Sequence, residues 1–152
     1  MRILVATDGS RGSAAAVKFA ARLAAQDTEL TLLLVGSDDG TRLGKTSNST
    51  KATPPKAAED RREQKILEDS RRELEKRGVQ AKVLLVPARQ PGAIPETICA
   101  QADKLKADLV VVGSEGRDTL SEWICGGVAL RLIYLARRPV VVVRPPRRRK
   151  AR

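Results

Sequence analysis

The sequence predicts an α/β fold: a five-stranded parallel sheet with helices on both faces. Three observations predict it. Short Val- and Leu-rich runs recur along the 152 residues, stretches of crossover-helix length separate them, and the last third carries Gly113, Gly116, Gly126 and Gly127 between two Val runs. Strands covered on both faces read as continuous apolar runs, and joining parallel strands requires a crossover, usually a helix. The alternation is regular and no internal repeat interrupts it.

The first run, Ile3-Leu4-Val5-Ala6, ends at Thr7-Asp8-Gly9-Ser10 and reads as a buried strand turning into a helix. Ser10 can cap that helix, and Ala14 to Ala25 supplies a strongly helical stretch with Val17, Phe19 and Leu23 on its inward side. Leu30 to Val35 is the second strand. From Gly36 to Lys56 the composition turns to Gly, Ser, Thr, Asn, Asp and Pro, and a flexible loop is expected there. Residues 57–77 predict a highly charged helix with a thin apolar stripe at Ile66, Leu67 and Leu74. Its pairs Glu68/Arg72 and Glu73/Arg77 have the favoured i,i+4 order, and Gly78 marks the stop.

Val79 to Val86 is the third strand, and Arg89 to Ala93 is a turn. Residues 94–106 predict a helix bearing Ile98, Ala102 and Leu105. Asp108 to Val112 is the fourth strand, residues 126–137 the last helix, and Val140 to Val143 the fifth strand. Pro139 precedes that strand, where a missing N–H costs least. One folded domain over 1–144 is expected, followed at 145–152 by a basic, disordered tail.

Composition narrows the function. Hydrophobic residues make up 41% and aromatics only 2%, namely Phe19, Trp123 and Tyr134. That excludes recognition of single-stranded nucleic acid by base stacking. The net charge is +11, with six of the basic residues between Arg144 and Arg152. Such a tail either attracts phosphate polyanions or is simply solvated, and no folded nucleic-acid motif accompanies it. Cys99 and Cys125 fit neither a disulfide framework nor a zinc spacing. No run approaches a membrane span, the first residues read as a strand, and a cytoplasmic location is expected; Asn48-Ser49-Thr50 is then a chance sequon.

Histidine is absent, so no Ser-His-Asp or Cys-His arrangement exists. Asp8 and Asp108 stand at opposite ends of their strands and form no acid/base pair. Asp8 reads equally as a helix cap and as a ligand contact, Asp108 as a strand-start residue. The segment Gly40 to Thr46 imitates a phosphate-binding P-loop, but three residues stand between its glycines instead of four and no helix start follows. The dinucleotide fingerprint is missing after the first strand, which disfavours NAD and FAD. Both cysteines read as inert thiols, and Trp123 as packing for the loop.

The glycine series carries the chemistry. A buried strand ending in glycines and entering a helix lets the backbone approach a phosphate, while the helix N-terminus offers unpaired N–H groups and a positive dipole end. Open parallel sheets bind ligands at strand carboxyl ends where the strand order reverses. If the first and fourth strands flank that reversal, Asp8 and Gly113 face one crevice.

At this point the chain resembles the universal stress proteins. The likeness spans ILVATDGS, ADLVVVGSEGR, GGVALRLIYLA and RPVVVVR, and includes the Gly-x2-Gly-x9-Gly spacing at Gly113, Gly116 and Gly126. It implies a Rossmann-like sheet of order 3-2-1-4-5, adenine nucleotide alpha hydrolase-like in type, and a homodimer, often formed through the last strand. It also implies ATP or another adenine nucleotide, with or without Mg, lying across the first and fourth strands. Carried over by position, Ala6, Thr7 and Asp8 line the nucleoside end, and Val35 offers backbone groups to adenine. Gly113, Ser114, Glu115, Gly116, Arg117, Asp118 and Thr119 wrap ribose and phosphates. Gly126, Gly127, Val128 and Ala129 face the phosphates.

Gly127 stands where the family signature has Ser or Thr, so one hydroxyl donor is lost while the backbone N–H stays. A neutral hydrogen bond contributes about 1 kcal/mol net. Glu115 brings a carboxylate towards the phosphates, and Arg117 either offsets it or pairs with it. The expected function is a stress-associated nucleotide-binding sensor or regulator with slow hydrolysis at most. The rival readings are a dimeric interaction protein of the same fold, engaging an unidentified protein partner, and an accessory nucleic-acid binder acting through the tail.

Overall fold

The computed structural model describes residues 1–36, 56–88, 93–115 and 126–146. Within them the elements alternate as β1 (Arg2–Ala6), α1 (Arg11–Leu23), β2 (Glu29–Gly36), α2 (Lys56–Glu75), β3 (Ala81–Pro87), α3 (Ile94–Lys104), β4 (Leu109–Gly113), α4 (Gly127–Leu135) and β5 (Val140–Val143). All strand pairs are parallel and the order is β3-β2-β1-β4-β5. The sheet and its order are those expected.

Each strand feeds two cores because its side chains alternate between faces. Ile3, Val5, Leu30, Leu32, Leu34 and Val111 meet α1 and α2 on one side. Leu4, Leu33, Val35, Val110 and Val112 meet α3 and α4 on the other, together with Ile98, Ala102, Ala129 and Leu132. The central strands β1, β2 and β4 are covered on both faces, which is why they read as nearly unbroken apolar runs, whereas the edge strand β3 leaves Val83 and Leu85 exposed.

Helix α1 starts at Arg11, directly after the Ser10 cap that the sequence offers. The Ser10 side chain accepts the Ser13 N–H at 3.1 Å and nucleates the first turn. Its buried face is small: Gly12, Ser13, Ala16, Val17, Ala20 and Ala21. Leu23, expected inward, is 38% exposed; two residues beyond Ala21 it has turned about 200° away from the sheet.

Helix α2 ends in a Schellman arrangement. Gly78 takes φ +72 while its N–H reaches Glu75 O at 2.9 Å and the Val79 N–H reaches Leu74 O at 3.1 Å. Val79 is thereby drawn into the helix end, and the third strand starts at Ala81 instead. Both expected i,i+4 pairs are present: Arg72 Nε lies 3.0 Å from Glu68 Oε1, and Arg77 pairs with Glu73. Gly36 closes β2 and Lys56 opens α2, so the expected loop is trimmed at both ends.

Asp108 is more than a strand-start residue. Its carboxylate accepts the Arg2 N–H at 2.7 Å and lies 3.6 Å from the Arg2 guanidinium, joining the amino ends of β1 and β4. The hydrogen bond from that backbone N–H, then the Arg2 charge, hold its carboxyl below the ordinary range. On the other face α3 and α4 are clamped by Arg131 with Glu96, and Arg138 Nε reaches Asp103 at 3.0 Å.

Candidate nucleotide site

The sheet order puts β1 between β2 and β4, so the chain winds outward in one direction to β3 and then crosses back to β4. The reversal falls between β1 and β4, which run level with Val5 opposite Val111. Asp8 and Gly113 therefore leave neighbouring strands at the carboxyl end of the sheet, as the expected crevice requires.

Beyond Ala6 the β1 segment is held by polar contacts. The Thr7 N–H donates to Leu33 O at 2.8 Å, and the buried Thr7 hydroxyl lies 3.4 Å from Ser13 Oγ and 3.2 Å from Ser70 Oγ. Asp8 Oδ1 accepts the Ser10 N–H at 2.9 Å, an Asx turn that shapes the loop into α1, while Ser10 itself is the helix cap. Val35 extends past β1. Backbone groups in a parallel strand alternate between neighbours: Leu33 O bonds towards β1 and Gly36 O bonds towards β3, taking the Ala88 N–H at 3.2 Å. Val35 thus turns its backbone groups to the β1 side, above the strand's end.

On the β4 side two glycines meet. A Cβ on Gly113 would stand 2.2 Å from Gly12 C, and one on Gly12 would stand 2.3 Å from Glu115 O. Gly113 is thus fixed by close approach of strand to helix. Ser10 Oγ donates to Glu115 O at 3.0 Å and ties the segment after β4 to the start of α1. The buried Ser114 bonds through N–H to Val143 O at 2.8 Å and accepts the Gly126 N–H at 2.6 Å. That second bond anchors the start of α4 to the end of β4.

The helices that follow β1 and β4 both start at this end of the sheet, beside the crevice, and their N-termini differ. That of α1 is capped by Ser10 and covered by Glu115. That of α4 has Gly126 as N-cap with no side-chain cap bond among the described residues, and no atom of those residues lies within 4 Å of where a Cβ on Gly127 would be. Val128 is exposed and Ala129 turns into the core. Uncapped N–H groups with a positive dipole end are an anion-binding arrangement. Gly116, Arg117, Asp118 and Thr119 lie outside the described residues, as do Trp123, Cys125, the P-loop-like segment 40–46, the sequon at 48–50, the turn residues 89–92 and the tail residues 147–152. Cys99 is partly buried, and burial, then Asp103 and Glu96, push its thiol up, away from reactivity.

Three residues of α2 also reach this end. Ser70 touches Thr7, Ile66 lies against Gly9 (φ +77; a Cβ there would be 2.8 Å from Ile66 Cγ1), and Glu63 Oε1 lies 3.0 Å from a Cβ on Gly36. Sequence reasoning found Ile66 but not Gly12, Glu63 or Ser70. The available signal was spacing: Glu63, Ile66, Ser70 and Leu74 share one helical face.

The sequence model of the universal stress protein family matches residues 1–144. The chain belongs to the universal stress protein family. Universal stress protein YxiE of Bacillus subtilis is 32% identical over 149 residues, covering 94% of this chain and 98% of that one. Among solved structures, a universal stress protein from Burkholderia pseudomallei superposes with TM-score 0.69 at 26% identity, covering 95% and 96%. One from Archaeoglobus fulgidus, solved in complex with dAMP, gives 0.62 at 22% identity, covering 94% and 97%. As a universal stress protein the chain has the five-stranded, Rossmann-like parallel sheet that its strand order describes.

Proposed function

We propose that the chain binds an adenine nucleotide, ATP or a close relative, across the carboxyl ends of β1 and β4 and acts as a sensor or regulator in stress. The observation that carries this reading is the start of α4: a glycine N-cap without a side-chain partner and an open Gly127, at the same end of the sheet as Val35, Thr7 and Asp8. The phosphates take the N–H groups of Gly127 and Val128, with Mg held by the phosphates themselves. The base lies towards Val35, whose backbone faces the crevice. The dAMP complex of the Archaeoglobus fulgidus relative supports an adenine nucleotide as the ligand class.

The chemistry expected of the site is retention rather than turnover. Histidine, the commonest general base, is absent from the chain. Asp8 already accepts the Ser10 N–H and holds the loop. Hydrolysis is therefore slow at most.

The working unit is a homodimer. β5 is a four-residue edge strand with half-buried side chains, and α4 beside it buries only Ala129 and Leu132. It leaves Leu130, Ile133 and Tyr134 exposed, the last two at 54% and 81%. Leu130 and Ile133 fall on the flank of α4 opposite Arg131, which is held to α3. A second copy continuing the sheet across β5 covers the edge and that flank together.

Denaturing the purified protein and separating the released small molecules by chromatography tests the reading, with an ATP titration of the stripped protein beside it. Adenine nucleotide near one per chain, or saturable ATP binding, supports it. An empty protein that also fails to bind added ATP overturns it and leaves the glycines an architectural role, with protein partners as the function.

A further inference from the structure

Helix α2 borders the crevice as well as covering the sheet. Glu63, Ile66 and Ser70 stand at i, i+3 and i+7 and share one face of the helix. That face runs along the carboxyl ends of β1 and β2. Ser70 Oγ lies 3.2 Å from the Thr7 hydroxyl just past β1, and a Cβ on Gly9 would lie 2.8 Å from Ile66 Cγ1. At β2, a Cβ on Gly36, the last residue of the strand, would lie 3.0 Å from Glu63 Oε1 and 3.3 Å from Oε2. A carbon–carbon bond adds about 1.5 Å at most, so both carboxylate oxygens stand within about 5 Å of the Gly36 Cα.

A directed chain of hydroxyls holds α2 there. The buried Ser13 hydroxyl donates to Ser10 O at 3.0 Å and accepts from the Thr7 hydroxyl at 3.4 Å. The single Thr7 hydroxyl proton is thereby committed, so Ser70 is the donor in its bond to Thr7. Ser10 Oγ in turn donates to Glu115 O at 3.0 Å. The bonds that shape the ends of β1 and β4 therefore also fix the face that carries Glu63. Val35, one residue before Gly36, turns its backbone groups to the β1 side. The Glu63 carboxylate stands beside those groups.

We propose that Glu63 reads the exocyclic 6-amino group of the bound purine and makes the site selective for adenine over a 6-oxo base. The inference rests on the nucleotide site proposed above. An adenine 6-amino group has two N–H donors, one for the Val35 carbonyl and one for the Glu63 carboxylate. An ionised carboxylate accepts hydrogen bonds and donates none, and the same holds for a peptide carbonyl. Hypoxanthine and guanine carry an oxygen at position 6, an acceptor turned towards two acceptors. A site built round such a hydrogen bond rejects analogues lacking the donor, because its own polar groups are left unpaired. Gly36 suits this arrangement, since a side chain there would crowd the carboxylate.

The test is calorimetric titration of the full chain, stripped of nucleotide, with AMP and with IMP, which has an oxygen in place of the 6-amino group. Two variants accompany the parent. Glu63→Gln keeps the side-chain length and adds a donor; Glu63→Asp keeps the charge and withdraws it by one methylene. The parent is expected to prefer AMP to IMP, and Glu63→Gln to cut that preference at least tenfold, the worth of one hydrogen bond to a charged group. Glu63→Asp weakens AMP binding to a similar extent and leaves IMP binding unchanged. Loss of a negative charge near the phosphates would by itself strengthen both nucleotides alike, so the ratio reports contact with the base. A parent without preference, or a folded Glu63→Gln variant whose ratio is unchanged while AMP still binds, overturns the role of Glu63 and leaves the nucleotide site standing. A parent that binds neither nucleotide overturns the site and this role together.

Discussion

Gly12 and Gly113 meet backbone to backbone, and Gly12 also meets Glu115 O, so neither position has room for a methyl group. Gly127 is the opposite case, with nothing among the described residues within 4 Å of an added Cβ. Substitution should separate the two kinds of glycine. Gly12→Ala is expected to destabilise the fold by about 1–3 kcal/mol, because the overlap is with backbone that has no rotamer to move. Gly127→Ser is expected to leave stability within about 0.5 kcal/mol and to tighten adenine nucleotide binding about fivefold, the worth of one restored hydroxyl bond of about 1 kcal/mol. Urea midpoints and ATP titration of both variants check this. Gly113 shows what a motif conceals: its place in the signature was legible, but the Gly12 contact that demands glycine there was not. That contact arises only when β4 and α1 are brought together in space.

At the level of elements, every strand and helix among the described residues was legible, because buried parallel strands and amphipathic helices leave distinct apolar patterns. The ends were less legible, since capping decides them. Ser10 caps α1 as its sequence allows, but the Schellman bonds at Gly78 and Val79 delay β3 by two residues. Helix α2 was read as a cover with a thin apolar stripe, which Leu67 and Leu74 bear out. Its polar contact through Ser70 and the approach of Glu63 to Gly36 were not legible, because both look like surface residues until the helix is laid across β1 and β2. Helix α4 gives the element-scale prediction. Leu130→Glu with Ile133→Glu should convert a dimer to a monomer in sedimentation experiments and leave the far-ultraviolet circular dichroism unchanged, since neither side chain is part of the buried core. A double variant that sediments with the same mass as a dimeric parent would remove α4 from the interface.

Across the whole molecule, functional placement follows from topology. The crossing back from β3 to β4 makes the carboxyl ends of β1 and β4 the place where the chain opens, and both α1 and α4 begin there. One start is sealed by Ser10 and Glu115 and the other is left with bare glycines. The central claim is the location of the nucleotide, and amide NMR of the 15N-labelled protein titrated with AMP tests it most directly. The account predicts saturable shifts at the amides of Val35, Gly126, Gly127 and Val128. Saturating AMP that leaves these four unmoved, or moves only amides far from the carboxyl ends of β1 and β4, would contradict it.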